Sequence, residues 1–109
     1  MPIAERVDTR YNDANALSQE EAEQLIHELA DWELDFNAEL PKLKKCYRFA
    51  DFESALGFAS RVGRMADEVD HHPRMTVEWG KVKIEWWTHK VGGLHVNDFV
   101  CARNSDELF

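Results

Sequence analysis

Cysteine is scarce in this chain: there are two, Cys46 and Cys101, far apart and forming no CxxC pair. That excludes a disulfide framework and gives no zinc-ligand spacing, and isolated thiols of this kind fit a reducing compartment. Long apolar runs are also missing, with none approaching the roughly 18 residues of a membrane span. Met1 to Asn15 holds no apolar stretch like the core of a secretory signal, so a cytoplasmic protein is expected. Positive charge is in deficit, 13 Lys and Arg against 21 Asp and Glu, a net charge of −8. A nucleic-acid surface is therefore not expected, because phosphate binding needs clustered cations. The basic run Lys42-Leu43-Lys44-Lys45 reads as the solvated face of a strand. There is no repeat of solenoid period and no HExxH pair.

What the chain does have is 44% apolar and 11% aromatic residues, enough for one packed domain. Residues 1–16 read as an N-terminal arm with Ile3, Val7 and Tyr11 as its apolar positions, and 17–109 as a single domain. Ser18-Gln19-Glu20-Glu21 is a capping box, and Ala22, Leu25, Ile26 and Leu29 follow at helical spacing, predicting a helix over about 18–30. Trp32, Leu34 and Phe36 alternate with acids, and Leu43 to Phe49 is again extended, so two strands follow. Asp51 is a plausible cap for a longer helix with Phe52, Ala55, Leu56, Ala59, Val62, Ala66 and Val69 as its stripe. Pro73 disfavours helical geometry at His72, so this helix is expected to end near Asp70–His71. Met75, Val77 and Trp79 alternate, Gly80-Lys81 turns the chain, and Val82, Ile84 and Trp86 alternate again. A last helix begins near His95–Asn97. The order α-β-β-α-β-β-α predicts an α+β fold, a four-stranded antiparallel sheet with three helices on one face.

Histidine carries the chemistry. His71-His72-Pro73 closes the second helix just before the hairpin, and His89 ends the hairpin's other strand. Antiparallel pairing puts the start of one strand beside the end of the other, so the three imidazoles can converge. Helix capping, a metal site and acid–base catalysis are the three readings. Three converging histidines with flanking acids weigh against capping alone, and the spacing lacks a metal-ligand signature. Proton transfer suits imidazole best near neutral pH. Asp67, four residues before His71, is expected to share its helix face, where it either orients the ring and raises its pKa or forms only a solvated i,i+4 pair. Trp32, Trp79, Trp86 and Trp87 read first as core or interface residues, though one of them could wall a pocket for a planar heterocycle.

The run Asp67-Glu68-Val69-Asp70-His71-His72-Pro73, followed by Trp79, Thr88-His89, Gly92-Gly93-Leu94 and Asp98, resembles the signature of the pterin-4a-carbinolamine dehydratases. Phe49-Ala50-Asp51-Phe52, Ala55, Gly57-Phe58 and Arg61-Val62 are similar to that family's central helix, and Trp32 to its early tryptophan. The resemblance covers about 18–104. It implies a homodimer or homotetramer and a dehydratase that needs neither metal nor cofactor, acting on a 4a-hydroxytetrahydropterin in the recycling of tetrahydropterin for aromatic amino acid hydroxylases. It further implies that His71, His72 and His89 are catalytic and that Asp67, Asp98, Trp32, Pro73 and Thr88 support them or bind substrate. Asp67 stands where the family usually has a glutamate, His95 where a Ser or Thr often starts the last helix, and Trp87 where a small residue is common. Some family members also serve as dimerisation partners of a transcription factor, so a non-catalytic interaction module is the competing function.

Overall fold

The computed structural model describes residues 3–8 and 16–109. Helix α1 (Gln19–Ile26) opens on the expected box: the Glu21 amide donates to Ser18 Oγ at 3.1 Å and the Ser18 amide to Glu21 Oε1 at 2.8 Å. It is shorter than the apolar spacing suggests. After Ile26 the amides of Glu28 and Leu29 bond three residues back, so Leu29 still reaches the core but through tighter turns. Asp31, with φ 67°, then swings the chain into β1 (Glu33–Asp35).

Strand β2 (Lys42–Arg48) pairs antiparallel with β1 and, on its other side, with β4 (Lys81–Trp86), which pairs antiparallel with β3 (Arg74–Glu78). The sheet order is β1-β2-β4-β3. Alternation decides its two faces. Leu43, Tyr47, Val82, Ile84 and Trp86 are buried beneath the helices, while Lys44, Cys46, Lys83, Arg74 and Thr76 share the open face. The Lys42-to-Lys45 run is thus split: Lys45, on the helix side, donates to Asp106 at 2.8 Å. The hairpin turn is Trp79-Gly80, since Glu78 pairs with Lys81, and this leaves Trp79 73% exposed where alternation had placed it in the strand. Gly80 adopts φ 75° there, a conformation that suits glycine.

Between the two pairs of strands lies α2 (Phe52–Val69), capped by Asp51, which accepts from the Ser54 amide at 2.7 Å. Its buried stripe is Ala55, Phe58, Ala59, Val62 and Ala66; Phe52 and Leu56, expected inside, face solvent. Phe58 packs on Tyr47 and Phe49 and is the centre of an aromatic group closed by Phe109. The last helix, α3 (Val96–Leu108), buries Asn97 through Ala102. The described part of the arm is fastened to it: Ile3 is buried, Arg103 donates to the Ala4 and Glu5 carbonyls, and the Asn97 side chain holds both backbone groups of Asp8. Tyr11 lies outside the described residues.

Candidate active site

The site forms where α2 ends. Asp70 takes a left-handed conformation (φ 53°, ψ 44°), which stops the helix one residue before the histidine pair. His71 is therefore no longer on the helical face that Asp67 occupies. Its Nε2 lies 2.6 Å from Asp98 Oδ1, and its ring stacks on Trp86 with centroids 5.6 Å apart and planes at 11°. Asp67 instead meets His72, Nε2 to Oδ1 at 2.9 Å. The expected Asp67–His71 pair is thus replaced by two others, because the reversal at Asp70 turns His71 inward and leaves His72 outside.

The two pairs differ in kind. Asp98 is 0% exposed and the His71 side chain 12%, whereas the His72 and Asp67 side chains are 56% and 79% exposed. Water and salt weaken the outer pair, and the inner one keeps its full geometry. Asp98 is also saturated with donors: Thr88 Oγ1 at 2.8 Å and the His95 amide at 2.9 Å both give hydrogen bonds to Oδ2, leaving Oδ1 for His71. The His95 bond belongs to a capping box in which histidine plays the usual serine part, its Nδ1 accepting from the Asn97 amide at 3.0 Å. The first turn of α3 thereby fixes the carboxylate, and the carboxylate fixes the imidazole. Burial pushes the Cys101 thiol up, and the neighbouring Asp98 carboxylate adds to it.

His89 stands in a short turn, His89–Val91, closed by Gly92 at φ 71° and by the Thr88–Gly93 bridge. Trp87 Nε1–H donates to His89 Nε2 at 3.1 Å. Asp70, His71, His72, Trp87, Thr88, His89 and Lys90 line one cavity of about 290 Å³, so the three histidines do converge. Pro73 lies between His72 and β3, half-buried, and shapes the exit from the helix. Trp32 is not brought to this cavity. It is buried beside Tyr47, donates to Asp106 Oδ2 at 3.1 Å, and so belongs to the far end of α3 from Asp98.

Trp86 is legible in the sequence only in part, as core or as one of four candidates for a pocket wall, and Arg74 and Glu85 escape it. Trp86 is the floor under His71, a role that alternation in the strand could place in the core but not beneath a particular ring; its own Nε1 has no hydrogen-bond partner among the described residues. Arg74 and Glu85 form a two-pronged pair at 2.8 and 2.9 Å across β3 and β4, bordering Trp87. Their separation of 11 residues is that of directly opposed hairpin positions, which is the signal that could have found them. No three His, Cys, Asp or Glu side chains among the described residues come together in a way that could hold a metal ion.

The sequence and the overall fold resemble those of known proteins. Residues 15–108 match the model of the family described as pterin 4 alpha carbinolamine dehydratase. A provisionally named pterin-4-alpha-carbinolamine dehydratase of Chlorobium luteolum is 44% identical over 93 residues, covering 85% of this chain and 82% of its own. One from Microcystis aeruginosa is 42% identical over 96 residues, 88% of this chain and 83% of its own. The crystal structure of a transcriptional coactivator/pterin dehydratase from Brucella melitensis superposes with a TM-score of 0.79 at 26% identity, over 86% of this chain and 98% of that one. With nearly its whole length matched and its fold shared, this chain belongs to the pterin 4 alpha carbinolamine dehydratase family.

Proposed function

We propose that this protein removes water from a 4a-hydroxytetrahydropterin to give the quinonoid dihydropterin, by proton transfer between histidines and substrate. The observation that carries the reading is the buried His71–Asp98 pair, stacked on Trp86 at the edge of a cavity that His72 and His89 also line. In the reaction the C4a–O bond breaks and the oxygen leaves as water after taking a proton. The N5–H electrons become the second bond of N5=C4a, and the N5 proton passes to a base. No oxidant is consumed, so one proton donor and one acceptor suffice, and imidazole can serve as either near neutral pH. With Nε2 of His71 committed to Asp98, Nδ1 is the atom at which this ring exchanges protons, and Asp98 stabilises the ring when it is charged. His72 and His89 supply the complementary group. Homo-oligomeric assembly and a cytoplasmic location belong to the same reading, the former supported by the exposed Phe52, Leu56, Trp79 and Phe109.

The test is the decay of chemically generated 4a-carbinolamine, followed by absorbance with and without protein. Wild type accelerates it, and His71→Ala is expected to lose about 10²–10⁴-fold in rate, the usual contribution of an acid–base group. Wild-type protein inert in this assay, or His71→Ala with unchanged turnover, would overturn the reading.

A further inference from the structure

Trp87 is set by its neighbours before it touches His89. It follows directly on β4, which lies between β2 and β3, and a cation reaches the indole from each of those two strands: Lys42 Nζ at 4.6 Å and Arg74 Cζ at 5.4 Å from the ring. Arg74 is itself held by two bonds to Glu85. Cations over an indole ring are attractive, and here they restrict its tilt. The indole N–H so aimed lies 3.1 Å from His89 Nε2, with the rings at 62° and 5.4 Å between centroids.

An indole nitrogen can only donate, so the imidazole nitrogen that meets it must offer a lone pair. In a neutral histidine one nitrogen carries the proton and the other accepts, and the partner of one nitrogen decides the state of the other. We propose that Trp87 is a positioning residue that holds His89 as its Nδ1–H tautomer, so that His89 acts in the cavity as a hydrogen-bond donor and not as a base. Resting on the dehydratase reading, this divides the work. His71, donating from Nε2 to Asp98, has an accepting Nδ1, whereas His89 has a donating one. The two rings are held in opposite tautomers by two unrelated partners, a buried carboxylate and a half-buried indole. A neutral Nδ1–H of this kind orients the 4a-hydroxyl or a pterin ring oxygen by a hydrogen bond without giving up its proton.

The tautomer can be read directly by long-range ¹H–¹⁵N correlation on ¹⁵N-labelled protein at about pH 8, with His89→Gln identifying the resonances. Wild type is expected to show a protonated Nδ1 and an unprotonated Nε2 at His89. Trp87→Phe keeps an aromatic ring but removes the N–H, and should move His89 towards the Nε2–H form while leaving the backbone amide spectrum elsewhere unchanged. Its dehydration kcat should fall about three- to tenfold, the effect of one lost neutral hydrogen bond. An Nε2–H tautomer in wild type, an unaltered His89 pattern in Trp87→Phe, or an altered pattern with undiminished kcat would each overturn the proposal. An inert wild type that still shows the Nδ1–H pattern would sink the dehydratase reading and leave the tautomer assignment standing.

Discussion

Asp98 is the residue on which the site turns. It is buried, and each of its three partners comes from a different piece of chain: the end of α2, the end of β4 and the start of α3. Asp98→Asn keeps the shape but puts an amide where a carboxylate faced only donors. It should cost dehydration about 10²–10⁴-fold, comparable to losing the histidine it serves, measured by the same absorbance decay. Thr88→Val removes one donor and retains the volume; a hydrogen bond to a charged group contributes about 1.5–3 kcal/mol, so the urea midpoint should fall accordingly. The thiols offer a third check at this scale. Burial, with Asp98 behind it, raises the Cys101 pKa, whereas Cys46 is exposed on the open face of the sheet. A raised pKa keeps Cys101 protonated at pH 8, so a thiol reagent should modify one cysteine in the native protein and both in denaturant.

At the scale of elements, β3 and β4 are tied by Arg74 and Glu85 as well as by their ladder. The hydrogen bond and charge of Arg74 hold the Glu85 carboxyl below the ordinary value of 4.5, against the opposing effect of burial. A depressed carboxyl favours the fold when ionised. Its contribution is fully present above about 4.5 and declines as pH falls through the lower folded value. Glu85→Gln should therefore show a smaller loss of stability than wild type between pH 6 and pH 3, as read from urea midpoints. Much of this hairpin was legible in the sequence, because period-two alternation in Val82, Ile84 and Trp86 admits few other structures. The turn was not: Trp79 continues the alternation and is nonetheless outside the strand, since Gly80 takes the second turn position. In α2 a stripe drawn through Phe52 and Leu56 missed Phe58, because an 18-residue helix offers several apolar tracks and the sheet it meets selects one. The Asp67–His71 expectation failed for a local reason, the left-handed Asp70. The Asp98–His71 pair joins residues 27 apart on different elements, and only the packed fold brings them together.

Among the described residues, 3–8 form a strap laid on the domain. Residues 15–108 match the family, so the arm lies outside what its relatives share by that measure, yet residues 3–8 run along α3 and reach the histidine site. Val7 and Asp8 line a second cavity of about 200 Å³ together with Asp70, His71, Lys90 and Asn97. Ile3 anchors the strap in the core, its amide donating to Glu28 Oε2 at 3.0 Å. Truncating a central isoleucine usually costs about 2–5 kcal/mol. Ile3→Ala should cost less, about 1–2 kcal/mol, because the arm can lift away while the sheet and helices remain folded. At roughly 4–8 °C per kcal/mol for a domain near this size, the melting temperature falls measurably. Hydrogen exchange separates the two possibilities. If the strap opens on its own, the Asp8 amide, now bonded to Asn97 Oδ1 at 2.8 Å, exchanges much faster in Ile3→Ala while amides of β4 keep their protection. If Asp8 and β4 lose protection together, by amounts equal to the change in global stability, the arm is part of the cooperative core and its contacts must form whenever the histidine site does.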